Sequence, residues 1–333
     1  HVLGGHSCCI TGGPGTGKSH LIRAVRDALR EAGQDVQVLA PSNAAARVVE
    51  GSTVHAFLTR MASSQHGFQG VLLLDEVSMI SLALVAVLDQ LRAGGECRII
   101  ATGDWEQLPP VGNSWRGQPV DARILKESAL LKRWSDGTHF VLTRCRRSDP
   151  EHFRFYQSLP KFSVAAAVLR TRARYPASEE GTLHLCISHR RRRAINARLQ
   201  AAVVGVHVPA FNEEPEYQAA PGTPLVGRCT GRGFVNGAFY EVVRDKITSN
   251  LNVNAASLQV VDKLTGQVLE ATPEQLAKHT CLAHAVVYNR AQGLTVDGQT
   301  VVLHDLGSRW FRRAHLYVGL SRVTNGADIR IAA

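Results

Sequence analysis

The sequence predicts a two-lobed α/β protein whose parallel strands alternate with crossover helices. Three observations carry this prediction. At 333 residues the chain is longer than one hydrophobic core usually organises. Its first half alternates short apolar runs with helical patterns, as βαβ units do. From about residue 206 to 280 the pattern changes to short alternating strands punctuated by Pro and Gly, which fits a small β-barrel inserted in a second α/β lobe.

The elements follow in order. Ser7–Thr11 reads as a strand entering a glycine loop, and Ser19–Glu31 as a helix ended by Gly33. Val36–Ala40 is the next strand and Asn43–Glu50 a short helix. Val71–Leu74, four apolar residues before two acids, reads as a central strand buried on both faces. Leu82–Arg92 is helical and stops at Gly94-Gly95, and Cys97–Thr102 and His139–Leu142 add strands. The pattern then weakens into a helix and the polar stretch Tyr175–Gly181. The expected division is therefore a first lobe at 1–150, a connection at 151–180 and a second lobe at 181–333. In the second lobe Leu183–Ile187 reads as a strand and Arg191–Val203 as a helix. Gly237–Val243 and Leu258–Val261 read as barrel strands. Leu282–Tyr288, Thr300–His304 and Asp328–Ile331 return to the α/β rhythm.

Composition narrows the function classes. Hydrophobic residues at 44% and charged residues at 20% permit sizeable cores, and no run of eighteen apolar residues suggests a membrane span. The net charge is +10, and 31 of the 38 basic residues are arginines, because only seven lysines are present. Arginine's planar fork suits phosphates and bases, so a polyanionic partner is permitted, although an Arg-favouring source would give the same excess. Seven scattered cysteines without a C-x-x-C pair read as reduced thiols of an intracellular, reducing compartment, neither a disulfide framework nor a zinc site. The chain opens on His1, which predicts a piece of a longer protein with additional domains.

Gly12-Gly13-Pro14-Gly15-Thr16-Gly17-Lys18-Ser19 satisfies G-x-x-x-x-G-K-[ST] between a strand and a helix. Backbone N–H groups of such a loop surround phosphate oxygens, and the helix N-terminus adds positive potential. Gly13 to Ser19 are the expected ATP-binding residues, with Lys18 on the β- and γ-phosphates and Ser19 on Mg²⁺. Asp75, at the end of the apolar strand, is the second expected Mg²⁺ ligand, and Glu76 is placed to orient or deprotonate water. A third strand runs into Gly103–Val111 and can bring Gln107 to the same edge; a rigid Pro-Pro loop with Trp105 as packing is the competing reading.

Together these residues resemble the motifs of superfamily 1B helicases, the PIF-type and RecD-like group. Leu74–Met79 (LDEVSM) and Gly103–Val111 (GDWEQLPPV) carry the likeness with the phosphate loop. Further matches follow in order: Thr53-Val54-His55-Ala56-Phe57, Leu142–Arg147, Cys186–Asn196, Gln292-Gly293-Leu294-Thr295 and Tyr317-Val318-Gly319-Leu320-Ser321-Arg322. The resemblance implies two RecA-like lobes with ATP between them, an SH3-like barrel in the second, and single-stranded DNA crossing both in the 5′-to-3′ direction. It also implies that Arg147 and Arg322 reach the γ-phosphate as the lobes close, with Gln292 and Gly293 beside the nucleotide. Ser42, Asn43, His55, Phe57, Trp105, Asn289 and Arg290 are the implied nucleic-acid contacts. Phe57 and Trp105 read equally well as packing residues, and Arg190–Arg193 as a solvated helix start.

Three departures accompany the likeness. Asn289 stands where the family has histidine. Only the thirteen residues 58–70 separate Phe57 from Val71, too few for a prominent strand-separating hairpin. The family's glutamine-containing adenine-reading segment has no counterpart before the loop. Two other readings stay open here: a viral-type superfamily 1 RNA helicase, and a non-hydrolysing nucleic-acid scaffold.

Overall fold

The computed structural model describes residues 1–63, 68–94, 97–110, 112–115, 117–121, 123–247 and 256–333. Gly95, Val111 and part of the short interval between Phe57 and Val71 lie outside the described residues. By internal packing the chain forms two units, 1–163 with 313–324, and 164–312 with 325–333.

The first unit is built on a six-stranded sheet. Its order is Ser52–Thr53, Val36–Ala40, Gly70–Leu74, Cys97–Gly103, Cys8–Gly12 and His139–Leu142, every pairing parallel. The central Gly70–Leu74 strand is apolar on both faces because helices cover both, and Val71 to Leu74 are at most 2% exposed. Lys18–Glu31 lays Ile22, Arg26 and Leu29 on the sheet at helical spacing. Arg26 is buried and pairs with Asp27 and Glu50. Leu82–Ala93 covers the other face through Val85 and Leu88.

The second unit holds a parallel sheet in the order Ala285–Val287, Leu183–Cys186, Val301–Leu303 and Ile329–Ile331. Between these strands in sequence lies an antiparallel sheet ordered Val268–Ala271, Ala256–Asp262, Phe239–Ile247, Pro224–Gly227 and Thr280–Leu282. A separate pair, Val206–Val208 with Tyr217–Ala219, shares its core.

Two sequence expectations change here. The run Leu282–Tyr288 is not one strand: Thr280–Leu282 belongs to the antiparallel sheet and Ala285–Val287 to the parallel one. Asn196 clamps the crossing, donating to the Leu282 and Ala285 carbonyls and accepting from Ala285 N. Secondly, residues 313–324 pack with the first unit, and 151–163 do too. The Arg313–Leu320 helix buries all six residues from His315 to Leu320, and in that unit it packs against the Pro150–Ser158 helix and the Leu159–Lys161 turn.

Candidate functional site

The carboxyl edge of the six-stranded sheet assembles the phosphate loop. Cys8–Gly12 ends in it and Lys18–Glu31 starts from it. Gly15 and Gly17 hold φ of +77° and +96°, which L side chains rarely adopt. Gly13 lets the Gln157 side chain come close: a Cβ there would stand 2.1 Å from its amide nitrogen and would push that flexible side chain aside. Lys18 Nζ donates to the Gly12 and Gly13 carbonyls at 2.8 and 3.2 Å, and the Thr16 hydroxyl donates to Gly13 O at 2.8 Å. The ammonium is therefore held at the loop's own rim. Pro14 is buried, and its carbonyl accepts from the Tyr156 hydroxyl at 3.4 Å and the Cys145 thiol at 3.7 Å.

Asp75 is 2% exposed and fully engaged. It accepts from Ser19 Oγ at 2.8 Å, Thr102 Oγ1 at 2.6 Å and Glu76 N at 3.0 Å. A serine hydroxyl beside a carboxylate is a hard-oxygen donor pair of the kind that would suit Mg²⁺. Glu76 sits in the left-handed region at φ +51°, a strained setting for a non-glycine residue that tends to accompany functional sites. Burial pushes its carboxyl up to about 7 against the opposing pull of Lys18. Its Oε2 has no hydrogen-bond partner among the described residues, and neither has Gln107 Oε1. The Gln107 amide donates to Asp104 Oδ2 at 3.2 Å.

Arg147 and Arg322 stand together in the same unit. Arg147 Nη2 donates to Ser321 O at 2.8 Å. Arg322, 1% exposed, donates from Nε to Val318 O at 2.8 Å and from Nη2 to Ser321 Oγ at 2.7 Å. Burial brings Arg322 down to about 9, with neighbouring Arg147 adding to the fall and Glu76 opposing it. It stays a cation at neutral pH. The expectation that Arg322 approaches from the second lobe is corrected: its segment is part of the first unit.

The expected nucleic-acid contacts divide. Ser42 is exposed and caps the Asn43–Val48 helix by accepting from Ala45 N at 3.2 Å, with Asn43 half-buried after it. His55 is exposed on the Val54–Ala62 helix. Phe57 is 1% exposed and meets Phe68 edge to face at 5.7 Å, so its stacking role is withdrawn. Helical periodicity puts Val54 and Phe57 on the inner face and His55 on the outer. Trp105 is half-buried against the same core and lines a cleft of about 640 Å³ with Lys126, Lys132 and Phe153. In the second unit, Asn289 and Arg290 lie on the turn Tyr288–Ala291. Arg290 Nη1 donates to Gly227 O at 2.6 Å and Asn236 Oδ1 at 3.4 Å. Gln292 is 8% exposed, and Gly293 follows at φ +79°. The Arg190–Arg193 run is structural in good part: Arg192 is buried on Glu214, and Arg193 pairs with Glu213.

Residues 2–128 match the AAA domain family. The ATP-dependent DNA helicase PIF1 of Homo sapiens is 26% identical over 391 residues, covering 99% of this chain and 59% of the human protein. The mouse PIF1 is 30% identical over 405 residues, covering 99% and 58%. The chain thus spans somewhat more than half the length of these relatives. The fold matches the Candida albicans Pif1 helicase at a TM-score of 0.72 and 18% identity, over 99% of this chain and 91% of that one. It matches a Bacteroides Pif1 bound to ssDNA at 0.68 and 18%, over 100% and 90%. The chain is thus similar along nearly its whole length to PIF1-type DNA helicases.

Four further residues complete this site. Asp104 is 5% exposed with its carboxyl raised by burial, and it accepts from the Tyr317 hydroxyl at 3.1 Å. Gln157 donates to the same hydroxyl at 2.7 Å. Thr102 holds Asp75 as described. Asp104 and Tyr317 lie inside recognisable motifs, so the signal was present; Gln157 and Thr102 carried none in sequence.

Proposed function

We propose that this chain is the motor of a 5′-to-3′ DNA helicase, an ATPase that moves along single-stranded DNA. One observation carries the reading: Lys18, the Ser19–Asp75 pair, Glu76, Gln107, Arg147 and Arg322 all belong to one unit and surround a single phosphate loop. Lys18 and the loop amides bind the β- and γ-phosphates of ATP. Ser19 and Asp75 would hold Mg²⁺, which would supply charge neutralisation at the phosphates when bound. Glu76, poised near neutrality by burial, takes the proton of the attacking water, and Gln107 orients that water. Arg147 and Arg322 stabilise the charge of the transferring phosphoryl group.

The two units are the two RecA-like lobes in this reading, and the antiparallel sheet of the second is an SH3-like barrel. Gln292 and Gly293 keep their assignment to the nucleotide in this reading. Ser42, Asn43, His55, Asn289 and Arg290 contact the DNA backbone, with Trp105 in support. The printed names of the relatives, ATP-dependent DNA helicases, support DNA over RNA, as do solved Pif1 structures with ssDNA and with ADP-AlF3. Unwinding relies on a reduced wedge or on further domains of a longer chain, because the interval after Phe57 is short.

The test is phosphate release from ATP with and without single-stranded DNA or RNA. DNA-stimulated turnover that falls roughly a thousandfold in Lys18→Ala is the expected result. Equal turnover in Lys18→Ala and the parent sinks the motor reading; stimulation by RNA alone sinks the DNA assignment.

A further inference from the structure

The loop after Val301–Leu303 leaves the carboxyl edge of the second unit's parallel sheet. In open α/β sheets ligands gather outside that edge. The loop is tightly built: Ser308 N donates to Asp305 O and Phe311 N to Ser308 O, both at 2.9 Å. Phe311 is 4% exposed and packs edge to face on Tyr288, centroids 5.8 Å apart. The Tyr288 hydroxyl in turn donates to His304 O at 3.0 Å. The loop is thereby fixed beside Asn289 and Arg290, which follow Tyr288 directly.

Trp310, next to anchored Phe311, points the other way and is 64% exposed. The Arg309 guanidinium lies 4.8 Å from its ring centroid, covering one face. Arg309 and Arg312 are themselves exposed on either side of it. A large indole held in water by a rigid loop has no folding role that its exposure would serve. An aromatic face flanked by cations is what stacks an unpaired base while phosphates are neutralised.

We infer that Trp310, with Arg309 and Arg312, forms a base-stacking station for single-stranded nucleic acid, continuous with the Asn289–Arg290 turn. This rests on the reading of the chain as a nucleic-acid motor. Stacking on the indole contributes sequence-tolerant affinity, and the two arginines contribute its salt-sensitive part.

The test is fluorescence anisotropy of labelled oligo(dT) on the whole chain at several salt concentrations. Trp310→Ala weakens binding about tenfold with an unchanged salt slope, and Trp310→Phe restores most of it. Arg309→Ala with Arg312→Ala flattens the slope by about two, one for each phosphate that a guanidinium neutralises. Because Trp310 is exposed, none of these changes moves the thermal midpoint appreciably, which separates a binding role from a structural one. Oligo(dT) binding that is unchanged in Trp310→Ala overturns the inference and leaves the motor reading intact; it is also the outcome if the indole docks a protein instead. A parent chain that binds no oligo(dT) overturns both.

Discussion

The carboxyl edges of the two parallel sheets use charge in opposite ways. At the first edge, charged groups are taken out of water: Lys18, Asp75, Asp104 and Arg322 are each at most 5% exposed, and Glu76 and Arg322 are driven toward neutrality by burial. At the second edge Arg309 and Arg312 are exposed, while Arg192 is buried in an ion pair with Glu214 and Arg290 keeps its charge beside neutral oxygens of Gly227 and Asn236. Buried charge is costly to keep and strong when used, which suits stabilising a transition state. Exposed charge is cheap, screened by salt and forgiving of position, which suits a track that must be gripped and released.

The largest expected effect breaks that contrast at the first edge. Arg322→Ala removes a fully buried cation beside Glu76 and lowers DNA-stimulated ATP turnover a thousandfold or more, by order of magnitude. Arg290→Gln at the second edge leaves turnover at saturating DNA close to the parent's. Comparable losses of turnover in both variants would erase the distinction. The next effect concerns folding alone. Phe57→Ala opens a cavity between Val54 and Phe68 and costs about 3–5 kcal/mol in urea unfolding. Its folded fraction binds single-stranded DNA as the parent does; weakened binding with parental stability would restore the stacking role.

Much of this was legible because it is local. The strand–loop–helix from Cys8 to Glu31 and the apolar run before Asp75 are specified by neighbours in sequence, and both stand where their patterns put them. Phe57 was legible as well, since Val54, Phe57 and Met61 recur at helical spacing, although the motif drew the eye to a stacking role. What sequence did not reveal was long-range packing. An unbroken apolar run across 282–288 cannot say that its two ends belong to different sheets. Nor can Tyr317–Arg322, however recognisable, say which unit encloses it. Asn196 closes a motif as a polar residue and proves to be a buried clamp.

A smaller effect separates the two units by pH. His184 lies on the Leu183–Cys186 strand and His304 directly after the adjacent Val301–Leu303 strand, both fully buried, with His184 Nδ1 and His304 Nε2 2.9 Å apart. Burial, then the neighbouring imidazole, holds His304 at about 4, and burial lowers His184 and His284 too. The folded unit refuses protons that the unfolded chain accepts near 6.5. Stability is therefore complete above pH 6.5 and is lost as pH falls toward 4. Thermal midpoints measured across that range should decline, and His304→Gln, which keeps a hydrogen-bonding partner for His184, should reduce the decline. An unchanged slope in that variant would mean that acids elsewhere govern it.

The smallest effect tests whether Arg290 belongs to the track at all. One of its nitrogens already serves Gly227 and Asn236, and burial lowers its pKa, so only part of the fork remains for a phosphate. Neutralising a single phosphate contributes about one to the slope of log affinity against log salt. Arg290→Gln should therefore reduce the oligo(dT) slope by about one and weaken binding severalfold at low salt, with little change at high salt. A uniform weakening at all salt concentrations would mean that the effect runs through the Gly227 anchor, and that Arg290 holds the antiparallel sheet in place instead of touching DNA.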